Sequence, residues 1–188
     1  MLYLASTSPR RRELLQQIGL SFEVLKIDVD ESVYPQELAQ DYVARLALAK
    51  AQAGLLLSKD EHAIVIAADT SVVMDNQIMG KPETIEQALA MWQALSGRQH
   101  QVLTGVSVAS HQQQQTQVVG TEVYFRDLTM DEMLNYWQTG EAQDKAGGYG
   151  IQGKGALFVQ KIVGSYSNVV GLPLTETALL LRRFGVLV

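Results

Sequence analysis

Six apolar residues in a row, 63–68 (Ala-Ile-Val-Ile-Ala-Ala), constrain the fold more than any other feature of this chain. A run with no polar face reads as a central strand buried on both sides, as in a sheet covered by helices. Before it comes a long helical pattern, residues 35–57, with Leu38, Tyr42 or Val43, Leu46, Ala49 and Ala53 on one face. Residues 2–5 read as a shorter buried strand, followed by Ser8-Pro9 as helix cap and first helical residue, with Gly19 as the stop. Further strands are predicted at 22–29, 71–74, 77–79, 101–109, 117–125 and 157–163, with Asp75-Asn76 turning a hairpin. Capping pairs Thr84/Gln87 and Thr129/Glu132 open two more helices, ending near Ser96 and before Gly140. A last helix is expected over 174–184. Helices and strands alternate, so the class is α/β with a mixed sheet. With 188 residues, 47% of them hydrophobic, the chain suits one domain, of one or two lobes.

Charge and residue usage exclude several function classes. Net charge is −5, from 15 basic and 20 acidic residues, and no basic patch stands out, which argues against a nucleic-acid polymer as partner. A small anion remains possible, since local arginines count for more than the total. Absence of Cys removes disulfides, thiolate zinc sites and a Cys nucleophile, and the three His form no HxxxH pair. Residues 1–5 are too short for a signal peptide and precede Arg10, Arg11 and Arg12. No apolar run reaches membrane-spanning length. The expectation is a soluble cytoplasmic protein with no membrane partner.

Five segments carry candidate chemistry. The loop 144–155 contains Gly148, Gly150 and Gly153 in the spacing GxGxxG, and it matches a Walker A motif except that Gly155 replaces Ser/Thr. Both matches fail on context, because a helix precedes and a strand-like run follows. What remains is a glycine-rich backbone whose N–H groups can approach a ligand, with Lys145, Gln152 and Lys154 among them. Between the first strand and helix, Ser6, Ser8, Arg10 and Arg11 surround a helix start, where an anion is favoured and consecutive cations otherwise oppose the helix dipole. Asp69 follows the buried run, where an α/β sheet places its ligands; it can hold Mg²⁺, activate a water, or cap a turn. Asp28, Asp30 and Glu31 can bring a second carboxylate to it, or remain solvated. Lys50, on the border of the long helix's apolar face, and Lys81 can snorkel or neutralise a polyphosphate. In the polar loop 164–173, Asn168 or Ser165 can read a base edge or act as a cap. The Gln-rich turn 111–115 reads as a solvated connection.

Taken in order, these segments resemble the Maf family of nucleoside triphosphate pyrophosphatases. The resemblance rests on Ala5-Ser6-x-Ser8-Pro9-Arg10-Arg11, Glu31, Lys50-Ala51, Ala68-Asp69-Thr70, Gly80-Lys81-Pro82, Thr104-Gly105-Val106, the loop Asp144 to Gly153 and Ser167-Asn168 with Gly171-Leu172-Pro173. It implies an elongated two-lobed α/β fold, related to ITPases, with a central mixed sheet, a cleft between the lobes and a homodimeric state. It implies hydrolysis of non-adenine nucleoside triphosphates to monophosphate and pyrophosphate with Mg²⁺ or Mn²⁺. Glu31 and Asp69 would hold the metal, Asp69 would be the general base, and Ser8, Arg10, Arg11, Lys50 and Lys81 would bind the phosphates. The branch acting on dTTP and UTP is similar at Arg10, Thr70 and Gln152, positions implied to set base preference. The competing expectation is a non-catalytic nucleotide-binding regulator of cell division, since the family carries an association with septum formation.

Overall fold

The computed structural model describes residues 1–188. Strand β1 (Leu2–Leu4) lies between two parallel neighbours, β2 (Glu23–Val24) and β3 (Ile64–Met74). Its register sets Leu4 opposite Ile66, and Ala5 N–H donates to the Ile66 carbonyl at 2.8 Å. The continuous apolar run is therefore a buried strand, but it does not stop where the sequence suggests. β3 continues to Met74, and its last residues pair antiparallel with β4 (Gln77–Met79). Asp75 and Asn76, both at positive φ (49° and 63°), make the tight turn between them. The other long strands are β5 (Gln99–Ala109) and β6 (Gln114–Phe125), with β7 (Val159–Val163) antiparallel to β6. The sheet order is β2-β1-β3-β5-β6-β7, with β4 on β3.

Six helices complete the molecule: α1 (Pro9–Gln17), α2 (Ala39–Ser58), α3 (Ile85–Leu95), α4 (Met130–Trp137), α5 (Tyr166–Val170) and α6 (Leu174–Arg183). No helix is long and apolar enough to cross a membrane. The buried positions of α2 are Val43, Leu46, Ala47, Lys50, Ala51 and Gly54. The expected apolar face is thus one residue out of phase: Leu38 is exposed, and Lys50 sits inside the buried stripe rather than on its border. Gly105 lets this helix pass close to β5, because a Cβ there would run into the Val43 carbonyl.

The chain divides into two compact units. The first comprises residues 1–69, 104–119 and 171–188, with a core that includes Tyr3, Ala5, Ala51, Val65, Ala67 and Ala109. The second comprises residues 70–103 and 120–170, with an aromatic core built on Trp92, Phe125, Tyr136, Tyr149 and Phe158.

Several boundaries differ from the sequence pattern for physical reasons. The strand expected at 22–29 shrinks to two residues because β1, its partner, offers only Tyr3 and Leu4 for pairing. The helix expected from Pro35 begins at Ala39, since Gln36 takes a positive φ of 60° in a turn. Residues 154–158 form a 3₁₀ segment ahead of β7, and Tyr166–Val170 is helical within the expected polar loop. Gln114 and Gln115 belong to β6, so the Gln-rich turn is shorter than its composition suggests. It is also tied down: Gln113 Nε2 reaches the Arg183 carbonyl and Arg183 reaches Gln115 Oε1.

Candidate active site

The first unit gathers most of the chemistry at the carboxyl end of its parallel strands. Where β1 stops at Leu4, the chain turns through Ser6 and Ser8 into α1. Ser8 is the N-cap with Pro9 after it, but its hydroxyl makes no capping bond. Instead Ser8 N–H donates to Ser6 Oγ at 3.2 Å. Arg11 is locked in place by donating from Nε to the Gly171 carbonyl at 2.8 Å and from Nη1 to Ser6 Oγ at 3.4 Å. Burial lowers the Arg11 pKa, Asp69 opposes that, Arg10 adds to it and Glu31 opposes it. A guanidinium stays cationic through such shifts. Arg10 is half-buried beside it.

Asp69 lies in the middle of β3, not at a strand tip, which corrects the expectation from sequence. Its position relative to the sheet is nonetheless the one expected of a ligand site. The ladder with β1 ends at Ile66, so three residues later Asp69 stands beyond the carboxyl end of β1, in the same unit as the Ser6–Arg11 turn. Its carboxylate is buried and accepts from Lys50 Nζ at 2.7 Å. Lys50 also meets Glu31 Oε1 at 2.6 Å. A lysine in the buried stripe of α2 is costly unless paired, and here two carboxylates share it.

Glu31 reaches this point because α2 holds the acidic loop. Tyr42 OH donates to the Glu31 carbonyl at 2.9 Å. Arg45 donates to the Ser32 carbonyl and forms a two-pronged pair with Glu37 at 2.6 and 2.7 Å. Tyr42 is pushed up to about 12, by burial first and then by the charges of Asp69 and Glu31, so it stays a phenol donor. Of the three acidic candidates only Glu31 joins the site. Asp30 instead binds the N–H and hydroxyl of Ser32, and Asp28 is exposed.

The second unit carries Thr70, Lys81 and Gln152. Thr70 is the residue after Asp69 on β3 and is half-buried. Lys81 is exposed, next to Gly80, whose carbonyl accepts from Gly147 N–H at 3.0 Å. Gln152 is exposed in the glycine loop. That loop does not offer its N–H groups outward as expected. Gly150 N–H donates to Tyr136 OH, and Lys154 and Gly155 N–H donate to the Glu141 carboxylate. Lys145 turns back onto Asp144 and the Glu141 carbonyl. The glycines serve close packing: Gly147, at φ 67°, lies against Val72, and Gly148 against Pro82 and Trp92. Asn168 is likewise structural. It is buried and donates from Nδ2 to the Val102 carbonyl and to Thr121 Oγ1, both at 3.0 Å.

A profile of the family described as Maf-like protein matches residues 1–184. The chain belongs to the Maf-like family. Relatives named dTTP/UTP pyrophosphatase include that of Vibrio parahaemolyticus, 52% identical over 183 residues, which are 97% of this chain and 96% of the relative. That of Pseudoalteromonas atlantica is 52% identical over 187 residues, 98% of this chain and 97% of the relative. That of Colwellia psychrerythraea is 54% identical over 187 residues, 98% and 88% of the two chains. Among solved structures, the Ham1 protein of Staphylococcus aureus overlaps with a TM-score of 0.45 at 16% identity, covering 67% of this chain and 72% of that one, too loosely to bear on function.

In this Maf-like protein the sequence pattern missed Tyr42, Arg45, Tyr136 and Glu141. Tyr42 was visible only as an alternative to Val43 on the apolar face, and no spacing marks a lone Glu141 as the partner of backbone groups 13 and 14 positions on. No group of three or more His, Cys, Asp or Glu converges anywhere in the chain. Glu31 and Asp69 are two hard oxygen donors drawn to one cation. Such a pair suits Mg²⁺ or Mn²⁺, which take one or two carboxylates and draw their remaining ligands from water and substrate phosphates.

Proposed function

We propose that this protein hydrolyses dTTP and UTP, and modified pyrimidine nucleotides of the same shape, to the monophosphate and pyrophosphate. The observation that carries this is the buried Asp69 carboxylate, held on Lys50 with Glu31 on the other side and Arg11 fixed nearby at the turn after β1. The name shared by the full-length relatives supports the same reading. A triphosphate carries close to four negative charges, so a water cannot approach its α-phosphorus until these are offset. Ser8, Arg10, Arg11, Lys50 and Lys81 bind the phosphate oxygens, and arginine does so in bidentate fashion. Asp69 takes a proton from water as the water oxygen bonds to the α-phosphorus. The bond from that phosphorus to the α,β-bridging oxygen breaks, and its electron pair leaves with pyrophosphate. A divalent cation held by Glu31 and Asp69 would supply charge neutralisation for the phosphates. Arg10, Thr70 and Gln152 set base preference; the Gln152 amide offers one donor and one acceptor face to a pyrimidine edge.

The test is pyrophosphate release from a panel of common and modified triphosphates with added Mg²⁺ or Mn²⁺. UTP and dTTP are expected to be preferred. Asp69→Asn should fold and lose roughly a hundred- to ten-thousand-fold in turnover of UTP, as loss of acid–base catalysis does. Turnover close to that of the unmodified protein would remove Asp69 from its role. Nucleotide binding with no pyrophosphate from any member of the panel would leave the non-catalytic regulator as the better description.

A further inference from the structure

The glycine loop presents Gln152 on a short tip whose two limbs are tied to one another by side chains from outside it. Gly153 N–H donates to the Gly150 carbonyl at 3.2 Å, which closes the tip. On one limb Gly150 N–H donates to Tyr136 OH at 3.1 Å. On the other, Lys154 N–H donates to Glu141 Oε2 at 2.8 Å and Gly155 N–H to Glu141 Oε1 at 3.2 Å. The Tyr136 hydroxyl joins the two halves by donating to Glu141 Oε1 at 2.8 Å. An unbroken chain of hydrogen bonds thus runs from one limb, through Tyr136 and Glu141, to the other. Gly155 is buried with no room for a Cβ against Gly150, and a Cβ on Gly153 would strike the Glu141 carboxylate, so the fit is close at both points. Burial works against the Glu141 charge, but the N–H of Lys154, the hydroxyl of Tyr136, the N–H of Gly155 and the charge of Lys145 outweigh it and keep its pKa below the usual range. Tyr149 anchors the start of the tip, buried against Phe125 with its hydroxyl 2.7 Å from His100 Nε2.

We propose that Glu141, acting with Tyr136, is a positioning residue for base selection: it clamps the tip 150–155 so that Gln152 meets the pyrimidine edge in one orientation. This rests on the base-reading role of Gln152. A recognising amide on a loose loop can swing to suit several bases, whereas a clamped one leaves a mismatched base with unpaired polar groups. The Glu141 carboxylate is taken up by Tyr136 OH and the N–H groups of Lys154 and Gly155, so it acts through the loop, and its loss falls on selectivity and KM before turnover.

The experiment measures kcat and KM for UTP and CTP in the full-length protein and in Glu141→Gln, Tyr136→Phe, Gln152→Ala and the double variant of Glu141→Gln with Gln152→Ala. Amide hydrogen exchange over residues 150–155 is followed in parallel. Glu141→Gln keeps the size of the side chain but replaces one acceptor oxygen by a donor. It is expected to raise the UTP KM, to cut the UTP-over-CTP ratio of kcat/KM by about tenfold, and to lower kcat for UTP far less. Exchange at Lys154 and Gly155 should speed up. Tyr136→Phe, which loses only a hydroxyl, should move in the same direction by less, so the proposal stays testable if Glu141→Gln folds poorly. The double variant should be no less selective than Gln152→Ala alone, because one residue acts through the other. If Gln152→Ala blurs selectivity while Glu141→Gln does not, or if the two losses multiply, the clamp is wrong and base reading by Gln152 stands. If Gln152→Ala leaves selectivity intact, base reading itself falls and the specificity role of Glu141 falls with it.

Discussion

Lys50 holds the first unit's chemistry together. Its ammonium lies 2.7 Å from Asp69 and 2.6 Å from Glu31, so a single cation offsets two carboxylates, one of them buried. Lys50→Met fits the apolar stripe of α2 but leaves Asp69 buried without its partner. Removing one member of a buried pair costs about 3 kcal/mol, which a drop in the urea midpoint would register. UTP turnover should fall as well, since a cation proposed to bind the phosphates is gone. Adding Asp69→Asn to Lys50→Met should restore part of the stability and none of the activity. If the two substitutions destabilise independently, the ion pair does not carry the stability assigned to it. The motif residue Lys50 was visible in the sequence as chemistry, but its burial was not. A phase error of one residue along α2 put it on the border of the apolar face. Only the side of the helix that meets β3 decides that phase.

The helices and strands were legible in type and less so in extent. Thr129 and Glu132 form the full reciprocal cap expected of them, with Thr129 Oγ1 accepting from Glu132 N–H and the Glu132 carboxylate accepting from Thr129 N–H. The similar pair at α3 is only half made, because Gln87 reaches Glu83 N–H rather than Thr84. Thr129→Ala is therefore expected to cost about 1 kcal/mol, or roughly 2–4 °C in Tm for a chain of this size, with UTP kinetics unchanged. A Tm within half a degree of the parent would show that the cap contributes nothing net. β3 shows why extent is harder to read than type. Its polar residues Asp69 and Thr70, just ahead of Ser71, look like a break between two strands in the sequence, yet the strand continues through all three to Met74. Two of the three are buried, Asp69 through its lysine and Ser71 inside the sheet, so polarity there marks a site and not a turn. The glycine loop misled in the opposite sense. Its composition suggests a cradle for an external anion, and the anion it holds is its own Glu141.

For the molecule as a whole, the clearest expectation concerns acid. His100 is buried, its Nε2 meets Tyr149 OH, its Nδ1 has no partner, and burial lowers its pKa from 6.5 to about 4. Between those values the unfolded chain takes up a proton that the folded chain refuses. Stability is therefore complete above pH 6.5 and is lost as pH falls towards 4, by up to about 3 kcal/mol. Lowered carboxylates such as Glu132, at about 2 through Arg126 and the Thr129 cap, cost stability lower down the scale, as pH falls from the ordinary carboxylate value of 4.5 towards that one. Urea titrations at stepped pH should give a midpoint that declines through the upper window, and His100→Gln should flatten that decline. A slope unchanged by the substitution would place the acid sensitivity elsewhere.

Local chemistry was enough to name the α/β class, the buried strand, the paired arginines of the first helical turn and the acidic residues, and the order of the motifs was enough to suggest the family, because apolar period, capping pairs and motif order are properties of short segments. Packing alone chose which of those residues meet. It put Lys50 between Glu31 and Asp69, tied Arg11 to Gly171 across 160 positions, and closed the glycine loop on Glu141. Such pairings depend on where β1 ends, which face of α2 is turned inward and how near two backbones can pass. Those are three-dimensional constraints that no window of sequence contains.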